Sequence, residues 1–106
     1  MFKGNLGDLI RQAQQLGQDL KSRQEELARK TVDVSVGGGM VRMTFNGKGE
    51  ALSLHIDPEV VEGNDVAVLE DLVLSAVNEG VRRSQQLMQE EMTKLAGGLN
   101  IPGVTS

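Results

Sequence analysis

The sequence contains no cysteine, tryptophan or tyrosine, and only one histidine and two phenylalanines among its 106 residues. Without cysteine the chain can form neither a disulfide framework nor a thiolate metal site. A single histidine leaves few nucleophile–base pairs, which argues against an enzyme. Because Phe2 and Phe45 are the only aromatic residues, the core has to be aliphatic and binding of single strands by base stacking is disfavoured. We predict no metal, no cofactor and no small-molecule substrate.

Long apolar runs are absent as well. No stretch approaches the ~20 apolar residues that a transmembrane helix requires. The segment MFKGNLGDL at the start has no apolar core of the kind that a signal peptide contains. At this length the chain is expected to form one domain. Together these features predict a soluble intracellular protein with no membrane partner.

The net charge of −4 is unevenly distributed along the chain. Residues 57–79 carry seven acids and no base, which leaves +3 on the remainder. These acids are Asp57, Glu59, Glu62, Asp65, Glu70, Asp71 and Glu79. A nucleic-acid-binding domain is usually basic, so the overall charge argues against a nucleic-acid partner. The segregation of the charge weakens that argument without reversing it.

Apolar residues at helical spacing predict a first helix over about residues 5–30. The stripe comprises Leu6, Leu9, Ala13, Leu16, Leu20 and Leu27. Either Asn5 or Asp8 can cap its start. In heptad notation the last two d positions are Arg23 and Lys30, so we expect the apolar seam to decay toward the end of the helix.

Three short segments then alternate apolar and polar residues, which predicts strands over 31–36, 40–46 and 51–56. The glycines at 37–39 predict a turn, because a phosphate cradle would need a helix to follow. The Asn46-Gly47 pair is typical of a hairpin. The short links indicate a three-stranded antiparallel meander with one apolar face, from which His55 points away.

The last segment is predicted to be helical. Asp57-Pro58 resembles a cap followed by a first-turn proline, and Asn64 or Asp65 can cap a second start. A long helix then runs from Val66 to about residue 96 and ends at Gly97-Gly98. The predicted fold class is α+β with the order α-β-β-β-α, in one domain over residues 1–96, followed by a flexible tail over 97–106.

Helices of this length must overhang a small sheet, and we expect a homodimer to cover the exposed edges and stripes. Asn78, which lies among apolar residues of the last helix, is expected to be a buried hydrogen-bonding or dimer-register residue. The candidate residues of the dimer interface are Val41, Met43, Phe45, Leu52, Leu54 and Asn78.

The order of these elements resembles the YbaB/EbfC family of bacterial nucleoid-associated proteins. The similarity spans about residues 1–96 and rests on the combined spacing of several short segments. Those segments are DLIRQAQQ at 8–15, GMV at 39–41, NG at 46–47, IDP at 56–58, LEDL at 69–72, AVN at 76–78 and RR at 82–83. The chain departs from the family at both ends, with a shortened N-terminus and a different C-terminus.

The resemblance implies a tweezer-shaped homodimer, associated with the nucleoid in the cytoplasm. It implies binding of double-stranded DNA with little sequence specificity, and a contribution to chromosome organisation or gene regulation. On a helical wheel Arg11 and Arg29 share an angle opposite the leucine stripe, as do Lys3 and Lys21 with each other. The candidate DNA-binding residues are Lys3, Arg11, Lys21, Arg23, Arg29, Lys30, Arg82, Arg83 and Lys94.

Two alternatives remain open. Five bases have an acid four residues earlier, which is typical of an ordinary solvated helix surface. The five pairs are Asp19–Arg23, Glu25–Arg29, Glu26–Lys30, Glu79–Arg83 and Glu90–Lys94. The helices could also bind a recombination or replication protein without touching DNA, and the adaptable side chains of Met88 and Met92 would suit such an adaptor.

Overall fold

The structure is a computed structural model that describes the backbone of residues 5–99 and the side chains of residues 5–97. The elements are α1 (Leu6–Arg29), β1 (Thr31–Val36), β2 (Val41–Asn46), β3 (Ala51–Ile56), α2 (Pro58–Glu62) and α3 (Val66–Leu99). A short glycine turn at Gly37–Gly39 joins the first two strands. The predicted α+β class and element order are confirmed.

Local side chains account for the boundaries of the helices. The Asn5 side chain accepts a hydrogen bond from the Asp8 amide at 2.8 Å, so Asn5 and not Asp8 caps α1. Asp57 caps α2 by accepting from the Glu59 amide at 3.0 Å. Asp65 accepts from the Val68 amide at 3.2 Å and caps the start of α3.

The three strands form an antiparallel sheet in the order β1-β2-β3. Gly37, Gly38 and Gly39 all have positive φ, at 63°, 68° and 95°, which explains why glycines make this turn. In the second hairpin Asn46 Oδ1 accepts the amides of Lys48 and Glu50, each at 3.0 Å. Both predicted turns are confirmed.

Helix α3 crosses β1 and β2 and builds the core against them. The fractional solvent exposure is 0% for Val41, 2% for Phe45 and 0% for Ala76. Helix and sheet approach so closely that a Cβ at Gly80 would lie 2.0 Å from Phe45 Cε1. The predicted inward face of β2 is therefore confirmed, and glycine is required at position 80.

Strand β3 is left uncovered by α3. Leu54 pairs with Met43 across the strands and so shares its face, yet Leu52 and Leu54 remain 53% and 51% exposed. A helix is about 10 Å wide and neighbouring strands lie ~4.8 Å apart, so one helix covers two strands and not three. The prediction that these leucines point toward the core side was correct, but the chain itself does not bury them.

Three predictions need correction. Val41, Met43 and Phe45 are buried beneath α3, so they belong to the core of the protomer and are not available to a dimer interface. Asn78 is exposed in the protomer, because it lies on the face of α3 away from the sheet, so it is not a buried hydrogen-bonding residue of the core, while its place in a dimer stays a prediction. Helix α3 continues through Gly97 to Leu99, since consecutive glycines weaken a helix without forbidding it. Residues 100–106 of the predicted tail lie outside the described residues.

The molecule is elongated, with extents of 72 × 27 × 17 Å. Its radius of gyration is 20.7 Å. A compact chain of this length would have about 13 Å. The excess comes from the helices, since α1 is about 36 Å long and α3 about 51 Å, against about 20 Å for each strand. The predicted overhang of both helices is present.

Candidate nucleic-acid interface

The exposed cations of α1, namely Arg11, Lys21 and Arg29, remain available to a ligand. Arg11 lies opposite the leucine stripe with its side chain 82% exposed, and its Nη1 is 3.9 Å from Asp8 Oδ1. Lys21 and Arg29 are exposed and form no ion pair with any residue in the described part of the chain. Of the other predicted bases, Lys3 lies outside the described residues.

Three of the predicted bases instead surround one buried carboxylate, a group that we call the Glu91 cluster: Glu91, Arg23, Lys30 and Lys94. Glu91 is fully buried on α3. Its Oε1 accepts from Lys30 Nζ and from Lys94 Nζ, the latter at 3.3 Å. Its Oε2 accepts from Arg23 Nη1 at 3.3 Å, and that guanidinium also contacts Glu26 at 3.2 Å. The cluster links the end of α1 to α3.

The cations of this cluster stabilise the ionised form of Glu91. The hydrogen bond from Lys30 is the largest cause, and together with Lys94 it lowers the pKa of Glu91 from 4.5 to about 2, against the opposing effect of desolvation. The same bond raises the pKa of Lys30. Glu91 is therefore ionised at neutral pH, and its three partners are engaged with it.

The two arginines on α3 are also engaged. Arg82 Nη2 lies 2.6 Å from Glu79 Oε1, a contact that raises the pKa of Arg82 and lowers that of Glu79. Arg83 donates to the backbone carbonyl of Asp33 in β1. Both side chains are thus partly occupied by structural contacts, unlike the exposed cations of α1.

None of the five predicted pairs at a spacing of four residues forms an ion pair in the described part of the chain. The bases of three of them pair elsewhere, with an acid three residues away or with Glu91 across the helices. The side-chain rotamers with which Arg23 and Lys30 reach Glu91 differ from those that would reach the acid four residues earlier. These three bases thus have other partners than the sequence pattern predicted, and exposed acids such as Asp8 and Glu25 remain on α1 beside its cations.

The sequence analysis did not identify Glu91 as a site residue. Glu91 falls between Leu87 and Leu95 on the inward stripe of α3, and an acid at such a position indicates a partner across the seam. Arg23 and Lys30, which the heptad pattern predicted to end the seam of α1, are that partner. Arg42 is exposed on the outer face of the sheet, opposite His55 on β3, where the predicted outward position of His55 is confirmed.

The acidic segment begins at the opposite end of the sheet from α1. The Gly47 amide donates to the carbonyls of Leu27 and Lys30, which joins α1 to the Asn46 end of β2. The Asp57 amide donates to Met40, which joins α2 to the other end. β2 spans about 20 Å between them, more than twice the Debye length of ~8 Å at physiological ionic strength. The acids of α2 are thus screened from the exposed cations of α1.

Membrane spans and metal sites are both absent from residues 5–99. No helix in this range is long and apolar enough to cross a membrane. Nor does the range contain a group of three or more histidine and acidic side chains that could hold a metal ion.

The fold and its surface define a class of elongated α+β proteins in which a three-stranded sheet carries two long helices, one of them with exposed cations. The chain belongs to the YbaB/EbfC DNA-binding family, whose model matches residues 2–99.

Named proteins and a solved structure agree with that assignment. A nucleoid-associated protein of Thermoanaerobacter is 50% identical over 100 residues, which are 94% of this chain and 90% of the relative. One from Desulforamulus reducens is 45% identical over 104 residues, with 98% and 99% covered. The crystal structure of an uncharacterized protein from Helicobacter pylori has a TM-score of 0.73 at 25% identity and covers 92% of this chain and 98% of its own.

Proposed function

We propose that the protein is a nucleoid-associated protein that binds double-stranded DNA as a homodimer, with little sequence preference. The observation that carries the proposal is the family match over residues 2–99. In this role the protein acts on the chromosome in the cytoplasm, in its organisation or in gene regulation, and not as an enzyme.

The exposed cations of α1 are the proposed phosphate contacts. Arg11 and Arg29 lie on one face of the helix, about 27 Å apart along its axis at 1.5 Å per residue. Lys21 lies between them along that axis. Cations that neutralise phosphates release counterions, so binding is expected to weaken steeply with salt. Side chains that contact phosphates carry no sequence information, which accounts for the low specificity.

The uncovered face of β3 is the proposed dimer contact. β3 is an edge strand, and Leu52 and Leu54 leave its apolar face half-exposed. Exposed apolar edges favour association, and a second copy would cover this one and present two α1 helices to one duplex.

The test is fluorescence anisotropy with a labelled random-sequence duplex over a salt series. We expect Arg11→Glu with Arg29→Glu to abolish binding at physiological salt. The matched control is Arg42→Glu with Lys48→Glu, which changes the net charge equally on the sheet and is expected to retain most of the affinity. The salt slope should fall by about 0.9 for each phosphate that the variant no longer neutralises.

Equal weakening by the two double variants would show that only overall charge matters. Unchanged binding by the α1 variant would exclude α1 as the site. If the wild type does not bind duplex at low salt, the adaptor function gains support. That alternative is favoured by one observation, the exposure of Leu6 at 72% and Ile10 at 52% on α1.

A further inference from the structure

Helix α1 is attached to the rest of the chain through few contacts. Within the described span Leu6–Arg29, Leu27 is the only buried residue, and it packs beneath the backbone of Gly47. Toward the N-terminus the apolar stripe is open, with Leu9 42% and Leu16 39% exposed. Apolar packing at one residue is a poor constraint on the direction of a long helix, because it has no preferred geometry.

The Glu91 cluster supplies a directional contact at the same place. Its carboxylate receives hydrogen bonds from Arg23 within α1 and from Lys30, which is the C-cap of that helix and lies seven residues further along the chain. Charged hydrogen bonds weaken steeply when they are misaligned, so two of them at different heights resist rotation of the helix. A carboxylate with 1% side-chain exposure is also costly to leave unpaired.

We propose that Glu91 is a positioning residue that fixes the direction of α1 relative to α3. By holding α1 it also fixes where Arg11, Lys21 and Arg29 stand relative to the phosphates of a duplex. This second part rests on the proposed function, whereas the first part concerns the free protein and does not.

The geometry makes the effect at the far end of α1 large. Arg11 lies 19 residues from Lys30, about 28 Å along the helix. A tilt of about 10° at the cluster would move Arg11 by about 5 Å, which exceeds the 3.4 Å axial spacing of phosphates on one strand. Without the contacts to Glu91, α1 would therefore have to become ordered when it binds DNA, and this ordering lowers the affinity.

The test measures the direction of α1 without DNA. Because the chain has no cysteine, spin labels can be placed at Gln12→Cys on α1 and Gln86→Cys on α3, which are both exposed. Dilution with excess unlabelled chain isolates the distance within one protomer. The variant is Glu91→Gln, whose amide presents one acceptor and an NH₂ donor where three donors converge.

The matched control is Glu90→Gln, which removes the same charge from the neighbouring exposed residue. We expect a broader distance distribution in Glu91→Gln alone. We also expect its duplex affinity to be about tenfold below that of Glu90→Gln, as reordering of α1 opposes binding. Both comparisons are made on samples with wild-type helix content by circular dichroism.

An unchanged distance distribution in Glu91→Gln would overturn the proposal. A rise in its affinity above Glu90→Gln would instead show that Glu91 withholds its cations from DNA. A broad distribution with unchanged affinity would overturn the second part only. If wild type does not bind duplex, the proposed function fails while the distances still decide the role of Glu91.

Two milder variants keep the test decisive if Glu91→Gln does not fold. Glu91→Asp retains the charge on a shorter side chain, and Lys30→Gln removes the donor at the C-cap of α1. Each should broaden the distribution relative to wild type and to Glu90→Gln, and an unchanged distribution in both would overturn the proposal. Where Glu91→Gln folds, combining it with Lys30→Gln should add little to Glu91→Gln alone, because both act through the same contact. Fully additive broadening would contradict a shared contact.

Discussion

The sheet beneath α3 and the helix α1 are both rich in aliphatic side chains, but the sheet buries most of those on its inner face, whereas α1 buries only Leu27 among its described residues. Val41 and Phe45 are at most 2% exposed, whereas Leu6 and Ile10 on α1 are 72% and 52% exposed. The two regions have equally clear periodicity in the sequence. Periodicity thus establishes which face of an element is apolar, and not whether anything within the same chain covers it.

Glycine substitutions are expected to separate the two regions most strongly. At Gly80 an added Cβ would meet Phe45, whereas at Gly17 on α1 it would meet no described atom within 4 Å other than those of the adjacent residues and of the surrounding helix backbone. We expect Gly80→Ala to lower the free energy of unfolding by about 1–3 kcal/mol, through overpacking. Gly17→Ala should raise it by up to about 1 kcal/mol, because alanine favours helix.

The measurement is urea unfolding of both variants at one fixed protein concentration, since assembly adds to apparent stability. Similar stability of the two variants would contradict the close approach of α3 to the sheet.

Charges on β3 should break assembly while leaving the fold intact. Leu52→Asp with Leu54→Asp places two carboxylates on a half-exposed face, so the protomer itself should lose little stability. We expect light scattering to give 11.4 kDa for this variant and twice that for the wild type. Val61→Asp with Val66→Asp, at sites 60% and 62% exposed near the start of α3, is the control and should remain dimeric. A wild-type mass of 11.4 kDa would refute the dimer.

Acid should weaken the charged attachment of α1 more than the aliphatic core. The pKa of Glu91 is lowered to about 2, first by the hydrogen bond from Lys30. A group with a lowered pKa stabilises the fold fully above its ordinary value, here 4.5, and progressively less as the pH falls toward 2. Between about pH 7 and pH 3 the wild type should therefore lose more stability than Glu91→Gln, measured by urea unfolding. Equal losses would mean that this carboxylate is not paired in the folded protein.

Neutralising the acids around α2 should have the smallest effect of these changes, a slight rise in the affinity for duplex DNA at physiological salt. Glu59→Gln, Glu62→Gln and Asp65→Asn keep the helix cap, because asparagine also serves as an N-cap. Since these acids lie beyond a Debye length from the end of α1, duplex affinity should rise only slightly at physiological salt and more at low salt. A hundredfold rise at physiological salt would place the acids at the interface and favour the adaptor function.

The Glu91 cluster shows where prediction from the sequence stopped. Arg23 and Lys30 stood at heptad d positions, where the apolar seam was predicted to decay. The contact between α1 and α3 nevertheless continues there as ion pairs, because both bases reach the Glu91 carboxylate on α3. Glu91 stood at an inward position in its own helix, but the pairing depended on how far α1 and α3 are offset along their axes. No pattern within one helix contains that offset.

Local chemistry in the sequence by itself determined the elements, their order and their turns. Asn5, Asp57 and Asp65 start helices, the glycines at 37–39 permit positive φ, and the alternation in β2 assigns its inward face. Only the tertiary structure decided that α3 covers two strands of three, that Phe45 meets Gly80, and which bases stay free. The physical reason is range: caps and turns are formed within a few residues, whereas burial and ion pairing depend on helices that meet across the fold.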